Sequence, residues 1–263
     1  MDLHLSGKTA VVTGGSKGIG LAVVRTLLAE GMRVVTGSRS LTPELKETGA
    51  LHVPVDLSTA DGATTLVDQA LAELGGIDLL VNNVGVGDTD DVAQGALLNV
   101  LDLPDSAWEH TFALHFYSAL RVSRAALPSL VERRGTIVNV SSAGARVVSA
   151  GPADYNVSKA ALNALTKVFA EQFGPSGVRA VTVSPGPVRT GVWTDPDGLI
   201  ARIAREQGVP HEVLAERLLS SLSPSTGRLS TPEEVARLIA FVASPSNITG
   251  SEYLIDGGVV KSA

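Results

Sequence analysis

The sequence predicts an α/β fold, a doubly wound parallel sheet of about seven strands with helices on both faces. Short apolar runs alternate along the chain with longer segments of helical periodicity, an order typical of parallel sheets covered by helices. A glycine-rich turn joins the first of these strands to the first helix. The length of 263 residues and the hydrophobic content of 44% suit one large domain with a substantial core.

Each element is predicted from its own pattern. Apolar, often β-branched runs predict strands near 9–13, 32–36, 51–55, 77–81, 136–140, 178–183 and 252–255. Helical patterns occupy the segments near 19–30, 59–74, 105–132, 153–173 and 232–243. The stretch 190–230 is irregular, because prolines and glycines interrupt its short helical pieces. Ligands bind such sheets at the carboxyl ends of the strands, so functional residues are expected in the loops that follow them.

Composition and charge exclude several classes of function. The formal net charge is −6 and no basic run stands out, which disfavours a nucleic-acid partner. The chain has no cysteine, so disulfides, thiolate metal sites and cysteine nucleophiles are excluded. Residues 1–7 lack the pattern of a signal peptide, and no uninterrupted apolar run reaches the ~18 residues of a membrane span. We therefore expect a cytoplasmic protein without a membrane partner.

Residues 8–20 contain the glycine-rich turn. A short apolar strand is followed by Gly14, Gly18 and Gly20, and then by the helical run 21–30. Glycine tolerates a positive φ and lets a backbone approach closely, while the N–H groups of a helix N-terminus favour anions. The spacing Gly-x-x-x-Gly-x-Gly differs from the commoner Gly-x-Gly-x-x-Gly. The turn is therefore a candidate pyrophosphate site, although the same glycines are also typical of an ordinary turn.

Tyr155 and Lys159 lie four residues apart at the start of a predicted helix, so both side chains project from one face. A nearby ammonium favours the phenolate, so Lys159 is expected to lower the pKa of the Tyr155 phenol towards working pH. Ser142 ends the predicted strand before this helix, and its hydroxyl can hold a carbonyl oxygen while a tyrosine protonates it. The three residues together predict proton transfer to or from a carbonyl oxygen.

The order of these motifs resembles that of the short-chain dehydrogenase/reductase family over nearly the whole chain. Further matching pieces are Val55-Asp56-Leu57, Asn82-Asn83-Val84-Gly85, Pro185-Gly186-Pro187-Val188-Arg189-Thr190 and Asp256-Gly257-Gly258. The resemblance implies a single NAD(P)-binding Rossmann domain over residues 1–263, with a substrate lid at about 190–230 inserted within it. It also implies ketone–alcohol interconversion by hydride transfer, in which Ser142 holds the carbonyl oxygen, Tyr155 exchanges the proton and Lys159 binds the nicotinamide ribose.

The same resemblance assigns the residues around the nicotinamide cofactor. They are Gly14, Ser16, Lys17, Gly18, Ile19, Gly20, Ser38, Arg39, Asp56, Leu57, Asn83, Gly85, Tyr155, Lys159, Pro185, Gly186, Val188 and Thr190. Asp56 is expected at the adenine edge, although a carboxylate after a strand also serves as a cap. NAD-preferring relatives carry aspartate at the position of Ser38, whereas Arg39 and Lys17 offer positive charge that suits a 2′-phosphate. NADP(H) is therefore expected over NAD(H), unless both cations are simply solvated.

His115 occupies a position where the family usually has asparagine, which helps hold a water that links the lysine to solvent. An imidazole can replace the amide as donor and acceptor, take part in proton delivery, or displace the water. It can equally be a satisfied core histidine without a catalytic part. The other four histidines have no ligand-like spacing with carboxylates, so they are expected at the surface and no metal site is predicted.

Three functions remain open from the sequence. An NADP(H)-dependent oxidoreductase that interconverts a ketone and a secondary alcohol is favoured, because Ser142, Tyr155 and Lys159 are all present. One alternative is a catalytically reduced NADP(H)-binding sensor or structural subunit, suggested by His115. The other is an epimerase or dehydratase on the same fold.

The substrate is expected to be a largely apolar small molecule. Val147 and Val148, together with the lid around Val192 and Trp193, suggest an apolar pocket to which Arg146 adds one charge. A homo-oligomer, either a dimer or a tetramer, is also expected. The resemblance implies an interface from 105–132 and 153–173, whose apolar faces are attributed to Phe112, Phe116, Leu120, Leu162, Leu165 and Phe169.

Overall fold

A computed structural model describes residues 2–85, 100–148 and 151–261. Within them, seven parallel strands form one sheet in the order β3-β2-β1-β4-β5-β6-β7. The strands are β1 Thr9–Thr13, β2 Arg33–Ser38, β3 Leu51–Pro54, β4 Leu79–Asn82, β5 Thr136–Val140, β6 Arg179–Pro185 and β7 Glu252–Ile255. The strand order reverses at β1, where β2 lies on one side and β4 on the other. The predicted doubly wound Rossmann-type sheet is confirmed.

Helices cover both faces of this sheet. Their bounds are α1 Gly18–Ala29, α2 Pro43–Lys46, α3 Ala60–Leu74, α4 Asp105–Phe112, α5 Ser118–Arg133, α6 Ala153–Phe173, α7 Gly191–Thr194, α8 Leu199–Glu206, α9 His211–Leu222 and α10 Pro232–Ala243. Every helix predicted from periodicity is present. In the described part of the chain, no helix combines the length and the apolar character that a membrane crossing needs.

The core has two layers because neighbouring strand residues point to opposite faces of the sheet. Val12 packs on the face covered by α1 and α10, where the buried residues of those helices complete the first apolar cluster. Val11 packs on the other face, among buried residues of α3, α5 and α6. Burial on both faces explains why the strands are continuous apolar runs without polar alternation.

The helix predicted over 105–132 is interrupted. Residues Ala113–Tyr117 form a π-helical turn between α4 and α5. Such turns insert an extra residue into the helical repeat and change the direction in which side chains project. His115 lies in this turn, so its direction could not be derived from regular helical spacing.

The stretch 190–230 is more regular than its sequence suggests. Its helices α7, α8 and α9 share a small apolar cluster separate from the sheet, centred on Ile200, Ile203 and Leu214. At its base, Val188 and Ser230 pair as an isolated parallel bridge. The segment therefore leaves and rejoins the sheet region at one place, while its helices pack largely against one another.

The apolar residues attributed to an oligomer interface lie mostly inside the protein. Leu162, Leu165 and Phe169 are buried in the core, and Phe116 and Leu120 pack against it. These helices are apolar on more than one face because α6 and α5 contact both the sheet and each other. The large apolar side chains that remain exposed on the same segments are instead Tyr117, Val157 and Val168.

Candidate active site

The predicted site residues gather at one edge of the sheet. All strands are parallel, so their carboxyl ends lie on the same side, and the loops that follow β1, β2, β3, β4, β5 and β6 meet there. The helices α1 and α6 begin at this edge and bring the glycine turn and Tyr155 to it.

The glycine turn between β1 and α1 has a backbone conformation that larger residues would strain or obstruct. Gly14 and Gly18 have positive φ angles of 71° and 56°. A Cβ atom on Gly20 would collide with the carbonyl oxygen of Gly14. Backbone geometry therefore requires glycine here. No described side chain caps the start of α1, so its first N–H groups are available to an anion.

Side chains around the turn have different environments. Ser16 accepts a hydrogen bond at its carbonyl oxygen from the Thr42 hydroxyl, at 2.8 Å. Lys17 is exposed, whereas Ile19 packs against the core. Ile19 therefore anchors the turn to the core, and Thr42 holds it through a hydrogen bond, while Lys17 extends towards solvent.

Asn83 ties the loop after β4 to the glycine turn. Its side-chain amide donates to the carbonyl oxygens of Thr13 at 3.0 Å and Gly14 at 3.3 Å. The Thr13 hydroxyl accepts hydrogen bonds from the backbone N–H groups of Asn83 at 2.9 Å and Val84 at 3.0 Å. Asn83 therefore braces the turn, with the hydrogens of its amide used inside the protein.

Ser38 ends β2, and its hydroxyl is engaged within the protein. It donates to the carbonyl oxygen of Ser40 at 2.9 Å and lies 2.9 Å from Nε2 of His52. His52 was expected at the surface, but it is half-buried on the neighbouring strand β3 and braces this strand end. Arg39, the next residue, is exposed. A cation, not an acid, therefore occupies the open end of β2.

Asp56 follows β3 and forms the turn before α3. Its Oδ1 accepts hydrogen bonds from the backbone N–H of Ser58 at 2.9 Å and from the Ser58 hydroxyl at 2.8 Å. These bonds, and to a smaller degree the charge of Arg39, lower the pKa of Asp56. The carboxylate therefore has the local turn-forming role that the sequence left open. Leu57 is buried in the core, so its side chain does not line the site.

The loop after β6 returns to the glycine turn. A Cβ atom on Gly18 would lie 3.4 Å from the Thr190 methyl group. Pro185 and Val188 are buried, so their side chains contribute little accessible surface to the site. Thr190 and the glycine turn therefore form adjacent walls of the same edge. We call residues 14–20, Asn83 and Thr190 the glycine cradle.

The terminal Asp-Gly-Gly motif supports this loop. A Cβ atom on Gly186 would lie 2.7 Å from Cα of Asp256. The Asp256 carboxylate accepts hydrogen bonds from the backbone N–H groups of Gly258 at 2.9 Å and Val260 at 2.8 Å. Close backbone packing therefore accounts for the glycine at 186.

Ser142 and Tyr155 are in hydrogen-bond contact across the loop between β5 and α6. Oγ of Ser142 also accepts the backbone N–H of Gly144 at 3.0 Å. The Tyr155 side chain is half-buried, and the protein around its hydroxyl raises the pKa of the phenol, while the hydrogen bond from Ser142 acts in the opposite direction. The expected lowering of this pKa by Lys159 is wrong for this structure, because loss of water has the larger effect.

Lys159 is buried, with 4% of its surface exposed. Its Nζ donates to the carbonyl oxygen of Val140 at 3.0 Å and lies 5.8 Å from the centroid of the Tyr155 ring. Burial lowers the pKa of the Lys159 ammonium to about 8. A lysine with this pKa can both hold and release a proton near neutral pH, which a solvated lysine cannot.

His115 lies beside the side chains of Tyr155 and Lys159, with 1% of its own surface exposed. Its ring meets the Tyr155 ring edge to face with 5.2 Å between centroids, and its Nδ1 lies 2.8 Å from Oγ of Ser158. Burial, then the charge of Lys159 and then that of His110 hold the pKa of His115 well below its usual range. The imidazole is therefore neutral near neutral pH. We call Ser142, Tyr155, Lys159 and His115 the tyrosine cluster.

Gly85 connects the two groups of residues. A Cβ atom built on it would lie 3.5 Å from Nε2 of His115 and 3.8 Å from Nζ of Lys159. Gly85 follows Asn83 by two residues, so the loop after β4 contacts the glycine cradle at one end and the tyrosine cluster at the other.

The residues expected in the substrate pocket differ in their exposure and in their partners. Arg146 donates to Glu252 through Nε at 2.9 Å and Nη2 at 2.6 Å. The charge that Arg146 was expected to add is therefore paired with a carboxylate on β7. Val148 is 70% exposed, whereas Val192 and Trp193 pack against the small cluster of α8 and α9.

Comparisons with known proteins agree with this geometry. A family model described as Enoyl-(Acyl carrier protein) reductase matches residues 14–260. The L-fucose dehydrogenase of Mus musculus is 31% identical over 260 residues, which span 96% of this chain and 88% of that protein. A 3-alpha-(or 20-beta)-hydroxysteroid dehydrogenase of Mycobacterium bovis is 31% identical over 272 residues, spanning 99% and 92%. The chain belongs to the short-chain dehydrogenase/reductase family.

Solved structures of the family support the same assignment. The crystal structure of L-sorbose reductase from Gluconobacter frateurii complexed with NADPH and L-sorbose matches with a TM-score of 0.88 and 29% identity, covering 100% of both chains. Relatives named as dehydrogenases or reductases of sugars and steroids act on CH–OH groups or the corresponding ketones. This short-chain dehydrogenase/reductase is therefore an alcohol–ketone oxidoreductase.

The residues at the sheet edge fit the nicotinamide cofactor that the family binds. The glycine cradle offers a helix N-terminus that its N-cap side chain does not cap and a backbone that a Cβ on Gly20 would obstruct, which suits a pyrophosphate. Exposed Arg39 supplies positive charge at the end of β2, and exposed Lys17 supplies it in the turn between β1 and α1. Lys159 and Tyr155 lie at the far end of the same edge, next to Gly85. When bound there, the cofactor would supply or accept a hydride.

Sequence reasoning missed several side chains that hold the site together. Thr13 and Thr42 anchor the glycine turn, and Ser158 contacts His115. A buried polar chain also joins Asn82 to Asn139 at 2.8 Å and Asn139 to Thr166 at 2.9 Å, linking β4, β5 and α6. The available signal was polar residues at the ends or interiors of apolar strands, where a buried amide needs a partner.

Proposed function

We propose that this short-chain dehydrogenase/reductase is an NADP(H)-dependent enzyme that interconverts a ketone and a secondary alcohol, with Tyr155 as proton donor and acceptor. The observation that carries the proposal is the hydrogen-bond contact of Ser142 with the Tyr155 phenol, with the buried Lys159 ammonium one helical turn further along α6. These three groups converge where a carbonyl oxygen can meet two hydroxyl donors.

The proton would move through the chain's own side chains. Because the pKa of Tyr155 is raised, the phenol keeps its proton near neutral pH and is ready to donate it to the carbonyl oxygen. Ser142 would hold that oxygen by a second hydrogen bond. Lys159, whose pKa is lowered to about 8, would stabilise the phenolate left behind and return a proton to it. In the reverse direction, neutral Lys159 would take the phenol proton and the resulting Tyr155 phenolate would accept the proton of the alcohol, while Ser142 again holds the oxygen.

The preference for NADP(H) over NAD(H) is part of the proposal. Recognition of a free 2′-hydroxyl needs an acceptor at the end of β2, and the Ser38 hydroxyl there is already bound to Ser40 and His52. Arg39 is exposed at the same place, and a guanidinium suits a phosphate dianion. The charge of Arg39 also acts on Asp56, so the loops that follow β2 and β3 are electrostatically connected.

The segment at about 190–230 is proposed to cover the substrate, within a single domain that spans residues 1–263. Its helices pack on their own apolar cluster, and its base lies at Val188 and Ser230, beside the glycine cradle. The substrate would be a small, largely apolar ketone or alcohol. Exposed Tyr117 in the turn before α5, together with exposed Val157 and Val168 on α6, supports a homo-oligomer formed through these segments.

Turnover assays test the proposed function directly. Purified protein is mixed with NADPH or NADH and a panel of ketones that includes a keto sugar, a steroid ketone and a β-keto thioester, and loss of the reduced nicotinamide absorbance is followed. We expect oxidation of NADPH with at least one ketone and a higher kcat/KM for NADPH than for NADH. Tight NADPH binding without turnover of any ketone would favour the sensor alternative, and a preference for NADH would contradict the role given to Arg39.

A further inference from the structure

The Asn156 side chain holds the loop that follows Ser142. It lies on α6 directly after Tyr155, with 2% of its surface exposed. Its amide nitrogen donates to the carbonyl oxygens of Val148 at 2.8 Å and Gly151 at 3.2 Å. Both amide hydrogens are therefore used by the backbone of this loop, which is thereby fastened to the first turn of α6.

The amide oxygen of Asn156 packs against Gly144 in the same loop. A Cβ atom on Gly144 would lie 2.3 Å from this Oδ1, while the next atom, Oγ of Ser142, would be at 3.3 Å. Gly144 has no positive φ, so its backbone would accept a side chain and the contact with Asn156 is the main obstacle. No described residue donates a hydrogen bond to Oδ1. Because both amide hydrogens are engaged, this oxygen cannot turn away from Gly144 without breaking their bonds.

Gly144 in turn orients the Ser142 hydroxyl. Its backbone N–H donates to Oγ of Ser142 at 3.0 Å. Oγ accepts there, so its own hydrogen remains for a second partner, and Ser142 is in hydrogen-bond contact with the Tyr155 phenol. Asn156 thus packs against the residue that orients Ser142 and follows Tyr155 in the chain. One turn of α6 therefore sets the positions of both hydroxyl groups.

We propose that Asn156 is a positioning residue that fixes the Ser142 hydroxyl against the Tyr155 phenol, by fastening the loop of Ser142 to the first turn of α6. The catalytic part of this role rests on the proposed function, in which both hydroxyls meet one carbonyl oxygen. Asn156 is buried and acts through Gly144, so changes at this position should disturb the alignment of the two donors. Cofactor binding at the glycine cradle, at the other end of the sheet edge, should be unaffected.

The contact between the two hydroxyls can be followed without any substrate. The 13C chemical shift of the ring carbon that bears the tyrosine hydroxyl responds to a hydrogen bond at that oxygen, and Tyr155→Phe identifies the Tyr155 signal among those of three tyrosines. Ser142→Ala supplies the shift expected when the hydrogen bond is lost. Asn156→Ala should move the Tyr155 signal towards this reference. An unmoved signal in Asn156→Ala would overturn the proposal.

Asn163→Ala is the matched control on the same helix. Asn163 lies two turns further along α6, and its side chain is in hydrogen-bond contact with Glu252 on β7. The control therefore also removes an amide hydrogen bond of α6 and should leave the Tyr155 signal in place. An equal shift in both variants would show that any lost amide on this helix disturbs the site, which would contradict a specific role of Asn156.

A double-mutant cycle tests the contact between Asn156 and Gly144. Gly144→Ala places a methyl group against Oδ1 and should lower the folding equilibrium constant about tenfold, within the usual effect of overpacking. Combined with Asn156→Ala, which leaves room for the methyl group, the same change should lower this constant less than about threefold. Urea unfolding of the four proteins measures both values. Equal losses in the two backgrounds would refute the contact through which Asn156 acts.

Turnover measures the catalytic consequence. With an active ketone, Asn156→Ala should lower kcat about tenfold because the two donors are no longer aligned, while the dissociation constant for NADPH stays within about twofold. Asn163→Ala should keep kcat within about twofold. Equal losses of kcat in the two variants would assign Asn156 a purely structural role. If the wild type turns over no ketone, the proposed function fails, while the tyrosine spectra still decide whether Asn156 positions Ser142.

Discussion

The glycine cradle and the tyrosine cluster lie at the same edge of the sheet but are built in different ways. The cradle is built on backbone conformations at Gly14 and Gly18 that favour glycine, and it is held by neutral hydrogen bonds that Asn83 donates to Thr13. The cluster consists of ionisable side chains that the fold deprives of water, and the pKa values of Tyr155, Lys159 and His115 are all shifted by burial. Binding geometry is thus encoded locally, whereas catalytic reactivity depends on packing.

This difference also decides what the sequence could predict. The glycine spacing prescribes a turn, so Gly14, Gly18 and Gly20 were placed correctly from sequence. The alternation of apolar strands and periodic helices likewise predicted the sheet and its main helices. The shifted pKa of Tyr155 could not be derived in the same way, because spacing on a helix brings Lys159 near it but does not measure the water that both lose.

Side-chain direction was the second quantity that sequence left undetermined. The π-helical turn at 113–117 changes the direction of His115, and nothing in the periodicity of 105–132 indicates it. Arg146 pairs with Glu252, more than a hundred residues away along the chain, so its partner lay beyond any local pattern. The same limit applies to Leu162 and Phe169, whose burial against the sheet was mistaken for an outer apolar face.

Tyr155→Phe should abolish proton transfer in the tyrosine cluster and leave cofactor binding at the glycine cradle intact. The variant lacks the hydroxyl that exchanges the proton, so kcat should fall by about 10²–10⁴-fold, the usual contribution of general acid–base catalysis. The dissociation constant for NADPH, measured by fluorescence titration, should stay within about twofold because the cradle is untouched. A variant that kept more than about a tenth of the wild-type rate would show that Tyr155 is not the proton donor.

Arg39→Asp should change cofactor binding beside the glycine cradle and leave the tyrosine cluster unaffected. It removes a cation that suits the 2′-phosphate and adds a charge that repels it, so NADPH affinity should fall about 10–100-fold while NADH affinity holds or improves. Arg25→Asp is the matched control, since it makes the same charge change at an exposed position on α1. Calorimetric titration of both cofactors checks this, and equal losses in the two variants would point to a general charge effect.

Gly20→Ala should also weaken cofactor binding, but to a smaller extent. The new methyl group meets the carbonyl oxygen of Gly14, so the turn must shift, and such overpacking typically costs about 1–3 kcal/mol. We expect weaker binding of both NADPH and NADH by about tenfold, together with a lower Tm. Gly174→Ala, where a Cβ meets no described atom within 4 Å, should change neither quantity. Unaltered cofactor binding in Gly20→Ala would show that the lack of a side chain at Gly20 is not needed for the glycine cradle to bind the cofactor.

The clearest difference between the two regions is that the tyrosine cluster is held together at a cost to stability. Lys159 releases its proton at about 8 in the folded protein, against 10.5 for a solvated lysine. Between these values the unfolded chain binds more protons, so the free energy of unfolding rises with pH. Below pH about 8 the buried charge therefore costs about 3 kcal/mol relative to pH above 10.5.

Urea unfolding of cofactor-free wild type and Lys159→Met between about pH 7 and pH 10.5 measures this cost directly. The variant removes the buried charge but leaves the Val140 carbonyl without its donor, a loss of about 1 kcal/mol. It should therefore be inactive yet more stable than wild type by about 2 kcal/mol near pH 7, and slightly less stable near pH 10.5. Lys167→Met, at an exposed position on the same helix, should show no such pH-dependent difference. A Lys159→Met variant that is less stable at every pH, by a constant amount, would contradict the buried, proton-releasing lysine.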